Sequence, residues 1–209
     1  MVKYDIVPEK TALLVYDLQN DLVKAGALLE NPEIREKLIP KLKILIDVCR
    51  SKGIPVIYAR QGYRKDLSNQ GIMAIIRPIT SQLKALVRGT EGAEVYDEIK
   101  PQEGDIVIDK CRYSAFHGTE LDLILRNKGV DTIIISGTSL QMGCGTTARD
   151  ATVRDYKVIY PSDGTAAHDL RDMGWGPVPK EEVLRVELTI LADGFAHVLS
   201  MDELISLLQ

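Results

Sequence analysis

The sequence has only three cysteines and three histidines in 209 residues, and these are the residue types that form disulfides and bind structural metals in small proteins. The cysteines are odd in number and far apart, which argues against a disulfide framework and predicts reduced thiols at Cys49, Cys111 and Cys144. The histidines show neither HxH nor HxxxH spacing. A metal site built from neighbouring ligands is therefore not expected, although ligands distant in sequence could still converge.

The sequence also has no apolar run long enough to span a membrane and no marked excess of one charge. The chain has 26 basic and 30 acidic residues and a net charge of -4, which gives no indication of a nucleic-acid-binding surface. No stretch is long enough to span a membrane, and the first ten residues contain no apolar signal-peptide core. We therefore expect a cytoplasmic globular protein without a nucleic-acid or membrane partner, folded as one domain over residues 1–209.

The sequence does contain an alternation of apolar runs and helical patterns, which is typical of an α/β fold with a parallel sheet. Apolar, often β-branched runs predict strands at residues 11–17, 54–59, 105–110, 130–136, 157–161 and 196–199. Helical periodicity predicts helices at residues 34–51, 119–127, 146–155, 181–195 and 201–208. Pro40 must kink the first of these helices or start its main part. Residues 60–88, here called the covering segment, are irregular and are expected to cover a substrate.

Residues with chemical potential follow three of the predicted strands. Asp17 ends the first strand, Lys110 ends the third, and the fourth leads into a loop with Gly143 and Cys144 before a helix. Taken singly, they could be a helix cap, a solvated lysine and a buried small residue. Because parallel strands bring their carboxyl ends to one edge of the sheet, we expect these groups to share one pocket.

Three ordered motifs make the chain similar to a known family. They are VYDLQND at residues 15–21, KCRYSAF at residues 110–116, and the Gly137 loop followed by TARDA at residues 147–151. From about Thr11 to the C-terminus the sequence resembles the isochorismatase-like hydrolases, which include nicotinamidases and N-carbamoylsarcosine amidase. The resemblance implies a three-layer Rossmann-like sandwich, with a six-stranded, mainly parallel sheet and helices on both faces. It also implies a homo-oligomer, dimer or tetramer, and a site built from Asp17 and Lys110.

The loop departs from the cysteine hydrolases of that family. Their nucleophile follows the strand-end glycine by six residues, and this position is Gly143 here, so that Cys144 comes one residue too late. One residue at a helix start rotates a side chain by about 100°, and we expect Cys144 to point away from Asp17 and Lys110. A Gly-Cys pair at this position resembles true isochorismatases. In those enzymes a protonated aspartate delivers a proton to the carbon of a vinyl ether, and water then adds.

The resemblance to isochorismatases is incomplete. Gln61 matches a substrate-binding glutamine, but Ser139 and Gln141 stand where those enzymes carry an aromatic residue and a histidine. Their Trp-Gly-Pro is replaced by Ile-Arg-Pro at residues 76–78. The metal ligands of nicotinamidases are also missing, since residues 58–70 contain no histidine. No metal and no cofactor are therefore expected.

The favoured hypothesis is a hydrolase that acts on a small polar or anionic metabolite without a cysteine nucleophile. Asp17 and Lys110 would be catalytic, with substrate contacts from Gln61, Gly143 and Cys144. Gly143 is expected to leave room and a backbone N–H donor where the amidases place sulfur. One alternative is a cysteine amidohydrolase in which the loop slips and Cys144 attacks. Another is a non-catalytic member that keeps the pocket as a binding module.

Overall fold

Residues 3–209, which a computed structural model describes, form a sheet of seven parallel strands. The strands are β1 Thr11–Tyr16, β2 Val56–Gln61, β3 Ile106–Lys110, β4 Thr132–Thr138, β5 Lys157–Pro161, β6 Thr165–Ala166 and β7 His197–Leu199. Their order is β3-β2-β1-β4-β5-β7, and the short β6 pairs with the end of β4. The chain therefore winds outward in both directions from the β1–β4 pair. Parallel sheets of this kind have their crevice at that switch point.

Helices cover both faces of the sheet. The α-helices are α1 Asn20–Val23, α2 Ile39–Ser51, α3 Met73–Ile76, α4 Pro78–Gln82, α5 Leu121–Asn127, α6 Gly145–Val153, α7 Lys180–Gly194 and α8 Met201–Leu208. Wider π-helical turns, Ile34–Leu38 and Leu140–Cys144, lead directly into α2 and α6. Short 3₁₀ turns lie at Pro8–Lys10, Glu91–Ala93 and Asp97–Ile99.

The two hydrophobic cores follow from the alternation of side chains along the strands. In β1, Leu14 and Tyr16 belong to the core beneath α5, α6 and α7, whereas Leu13 and Val15 belong to the core beneath α2 and α8. All six residues of β1 are buried, as expected for the centre of a sheet that is covered on both sides. The three-layer Rossmann-like architecture is thus confirmed.

The structure refines several sequence boundaries. The sheet has seven strands rather than six, because Thr165 and Ala166 pair with Gly137 and Thr138 over a stretch too short to give a sequence pattern. The predicted helix at residues 34–51 divides at Ile39 into a π-helical turn and α2, and Pro40, which has no N–H to donate, lies in the first turn of α2. No helix within the described residues is long and apolar enough to cross a membrane.

Candidate active site

The carboxyl ends of the three strands β1, β2 and β3 bring an acid, an amide and an ammonium together. Gln61 and Lys110 are paired in the β2–β3 register, and Asp17 directly follows β1. The Lys110 Nζ donates to Asp17 Oδ2 at 2.8 Å and to Gln61 Oε1 at 2.9 Å. The edge of the parallel sheet therefore places these three predicted site residues in direct contact.

Lys110 is buried behind the carboxylate rather than exposed to the substrate. Its side chain is 1% exposed, and its ammonium lies 4.3 Å from the centre of the Tyr16 ring. A third donation, to the Arg112 carbonyl at 3.3 Å, completes its set of acceptors. A buried ammonium needs such partners, and the ring face adds a cation–π attraction. Lys110 can thus hold and orient Asp17 from within the protein.

Asp17 lies in the wall of a cavity of about 520 Å³. Its backbone is left-handed, with φ of 50°, a conformation that is uncommon outside glycine and often found at functional positions. Oδ1 is buried and has no hydrogen-bond partner among residues 3–209. Burial raises the pKa of the Asp17 carboxyl above its ordinary value, and Lys110 only partly opposes this. The protonated form of this carboxyl is thus favoured relative to that of a solvent-exposed aspartate.

Gly143 also lines the cavity, but the space beside it is taken. A Cβ added at Gly143 would lie 2.5 Å from Cζ of the Tyr16 ring, closer than real carbon contacts allow. The Tyr16 hydroxyl donates to the Tyr113 carbonyl, which fixes the ring in this position. This corrects the expectation that Gly143 leaves room where the amidases place sulfur, because a buried aromatic ring fills that room.

Cys144, predicted as a substrate contact, is wholly buried in the core beneath α6 and α7 and is not among the residues that line the cavity. Burial raises the pKa of its thiol well above the usual range, and Asp17 adds to this rise. The thiolate is therefore disfavoured. The orientation away from the cavity agrees with the one-residue offset of the loop.

Most of the cavity wall is apolar and comes from segments outside the sheet. The segment around α1 contributes Leu22, Leu29, Pro32 and Ile34, and the covering segment contributes Tyr63, Met73, Ile79 and Leu86. Further polar side chains reach the wall from Arg77, Tyr113 and His168. The sequence predicts no role for these three: Tyr113 lies inside the KCRYSAF motif without a predicted function, and Arg77 and His168 lie on loops without periodicity.

The VYDLQND motif also attaches the covering segment to the sheet. The Gln19 amide donates to the carbonyls of Gln61 at 2.9 Å and Ala93 at 2.7 Å, and its oxygen accepts from the Gln61 N–H. The Asp21 carboxylate accepts from the Leu86 N–H at 2.7 Å. Only Asp17 of this motif lies in the cavity wall, and the polar residues after it position the segment that forms the opposite wall.

The sequence model of the isochorismatase domain matches residues 11–200. The chain belongs to the isochorismatase family. A solved structure of a cysteine hydrolase from Pseudomonas syringae pv. phaseolicola 1448A is 36% identical, with a TM-score of 0.94 over 99% of this chain and 96% of that chain. The proteins similar to this chain include named hydrolases of the isochorismatase family.

Curated isochorismatase-family relatives differ in their named activities. Enterobactin synthase component B of Escherichia coli K12 is 34% identical over 165 residues, which cover 79% of this chain and 55% of that protein. The chain thus spans about half the length of that relative. Ureidoacrylate amidohydrolase RutB of Pantoea ananatis is 30% identical over 174 residues, covering 76% of this chain and 70% of the relative. The family is therefore shown, while the choice of reaction depends on the site.

Proposed function

We propose that this hydrolase cleaves a vinyl-ether type bond in a small polar or anionic metabolite, with Asp17 as the proton donor and without a cysteine nucleophile. The observation that carries the proposal is the Tyr16 ring packed against Gly143. A side chain at position 143, where the resemblance places the cysteine of the family's amidases, would collide with this ring. The neighbouring thiol of Cys144 is buried and disfavoured as thiolate.

The proposed chemistry begins with the protonated Asp17 carboxyl. Its proton moves to the terminal carbon of the vinyl ether, which leaves a carboxylate on Asp17 and an oxygen-stabilised cation on the substrate. The Lys110 ammonium, 2.8 Å from Oδ2, stabilises the carboxylate that forms. Water adds to the cation and returns a proton to Asp17, and the resulting hemiketal breaks into an alcohol and a ketone.

Gln61 supports this proposal as a substrate-binding residue. Its Oε1 accepts from Lys110, which fixes the amide so that Nε2 is the free donor. This nitrogen is buried and has no partner within the described part of the chain. A buried donor without a partner is costly, so a substrate oxygen is its natural acceptor.

A cysteine amidohydrolase is the second candidate, and the names of two similar proteins favour it: the Pseudomonas syringae cysteine hydrolase and the Pantoea ananatis amidohydrolase. It requires the Cys144 thiol to reach the cavity and lose its proton.

Variants distinguish the two candidates on a panel of isochorismate, nicotinamide, ureidoacrylate and N-carbamoyl compounds. We expect Asp17→Asn to lower turnover by at least about a hundredfold and Cys144→Ala to retain it. An inactive but folded Cys144→Ala, with selective alkylation of Cys144 in the native protein, would overturn the proposal.

The pH dependence of turnover offers an independent test. Asp17 must be protonated to act as an acid, and burial raises its pKa. We therefore expect kcat/KM to be highest below that raised pKa and to fall as pH increases through it. A thiolate mechanism predicts the opposite slope, since the raised pKa of Cys144 would make activity increase with pH. Steady-state kinetics from pH 4 to pH 10, with Asp17→Asn as the control that loses the slope, separates the two.

A further inference from the structure

The cavity contains a guanidinium group whose charge is not neutralised. Arg77 lies between α3 and α4, lines the cavity and is partly buried. Its Nε donates to the Tyr113 hydroxyl at 3.3 Å, and within residues 3–209 it forms no ion pair with a carboxylate. The two terminal nitrogens of the guanidinium therefore have donors available for a ligand.

The other ionisable groups of the cavity leave this positive charge unopposed. Glu30 lies in the wall, but its carboxylate is bound by Arg35 at 2.6 Å. Burial and the nearby charge of Arg77 lower the pKa of His168, so this ring is neutral near pH 7. Asp17 in its protonated form is also neutral. The Lys110 ammonium behind Asp17 is 1% exposed, so Arg77 is the cation in the cavity wall that a ligand can reach.

We infer that Arg77, with the Tyr113 hydroxyl beside it, is a carboxylate-binding subsite, and that the substrate carries a carboxylate on a largely apolar skeleton. The inference rests on the proposed function and specifies its substrate class. A guanidinium presents parallel N–H donors that fit a carboxylate in a bidentate manner. The apolar side chains from the covering segment and the α1 region would contact the skeleton. A single guanidinium matches one negative charge better than the two charges of a phosphate monoester.

Small aromatic probes test the subsite without knowledge of the full substrate. Affinities of benzoate, benzamide and phenyl phosphate are measured by ligand-observed NMR titration on the wild type, Arg77→Gln, Arg77→Lys and the exposed-site control Arg185→Gln. We expect the wild type and the control to prefer benzoate. Arg77→Gln should weaken benzoate binding about tenfold or more and leave benzamide unchanged, because the amide carries no charge. Arg77→Lys should recover part of the loss.

Each outcome bears on the subsite separately from the reaction. Equal affinity for benzoate and benzamide, absence of measurable benzoate binding, or unchanged binding in Arg77→Gln would overturn the subsite. Tighter binding of phenyl phosphate than of benzoate would overturn the choice of a carboxylate. Asp17→Asn should lose hydrolysis and keep benzoate binding. A protein that binds benzoate through Arg77 but hydrolyses no vinyl ether would keep the subsite and refute the proposed function.

Discussion

Tyr16 and Gly143 constrain each other through direct contact between a ring and a backbone. The ring is wholly buried, its hydroxyl is bonded to the Tyr113 carbonyl, and its face contacts the Lys110 ammonium. The ring cannot withdraw without losing these contacts. A side chain at position 143 is therefore disfavoured by a neighbour whose ring also contacts the Lys110 ammonium.

Gly143→Cys should destabilise the protein by about 1–3 kcal/mol, because it overpacks the contact with Tyr16. In the double variant Tyr16→Val/Gly143→Cys the new side chain gains space, so we expect a favourable coupling of about 1 kcal/mol or more relative to the sum of the single changes. Urea denaturation of the four proteins in the cycle measures this coupling.

The matched control is Gly194→Cys at the end of α7, where an added Cβ meets nothing within 4 Å. It should stay within about 0.5 kcal/mol of the wild type. Additive effects of the changes at positions 16 and 143, or a Gly143→Cys variant as stable as the control, would show that the ring yields easily.

Single residues differed in how far the sequence could predict them. Asp17 and Lys110 were predictable because each ends a buried parallel strand, and the topology then leaves one place for them. The contact between Tyr16 and Gly143 was not predictable, because a residue inside an apolar strand gives no indication of which loop packs against it. Arg77 and His168 lie on irregular loops, where only the tertiary structure decides what faces the cavity.

At the level of elements, the turn that contains α1 connects the sheet to the covering segment. Gln19 is completely buried and satisfies three backbone groups with one side chain. Two of these groups belong to Gln61, the last residue of β2. The Gln19 side-chain amide therefore forms the hydrogen bonds with Gln61 that a neighbouring strand would otherwise form at the end of β2.

Gln19→Ala should lower the free energy of unfolding by at least about 2 kcal/mol, because it leaves the N–H and C=O of Gln61 and the C=O of Ala93 without their partner. Faster amide hydrogen exchange at Gln61 should accompany the loss. Gln82→Ala, an exposed glutamine at the end of α4, is the control and should change stability by less than about 0.5 kcal/mol. Unchanged exchange at Gln61 would contradict the bridging role.

The elements themselves were predictable where their patterns were long. The apolar run of β1 and the periodicity of α2 and α7 located these elements to within a few residues. The sequence pattern could not reveal β6, because a strand of two residues is too short to show an alternation. It also could not reveal the π-helical turn before Pro40, because the apolar positions there fit both an α-helix and a π-helix. Residues 60–88 contain α3 and α4, which are too short to show a repeat.

For the whole molecule, the central sheet links two helical layers into one folding unit. Leu45 on α2 and Leu125 on α5 are both completely buried, in the cores on opposite faces of the sheet. Each core includes alternate residues of the same strands. Loss of packing on either face should therefore destabilise the entire sheet.

We expect Leu45→Ala and Leu125→Ala each to lower the free energy of unfolding by about 2–5 kcal/mol within a single transition. Ile44→Ala and Leu123→Ala change exposed neighbours on the same helices and serve as controls. Unfolding in urea should be followed by circular dichroism, because Trp175 is 95% exposed and its fluorescence will change little. Two separate transitions in either core variant would show that the layers unfold independently.

The separate origins of the two cavity walls have an evolutionary consequence. Asp17 and Lys110 come from the sheet edge, whereas Arg77 and much of the apolar lining come from the covering segment, which Gln19 and Asp21 attach to that edge through Gln61 and Leu86. Apart from Gln61, which accepts from the Lys110 ammonium, residues of the covering segment can change without altering the strand ends that carry Asp17 and Lys110. Related chains that keep this sheet edge can therefore diverge in the ligand they bind by drift within one surface segment, and duplicated copies can specialise while the edge stays under selection.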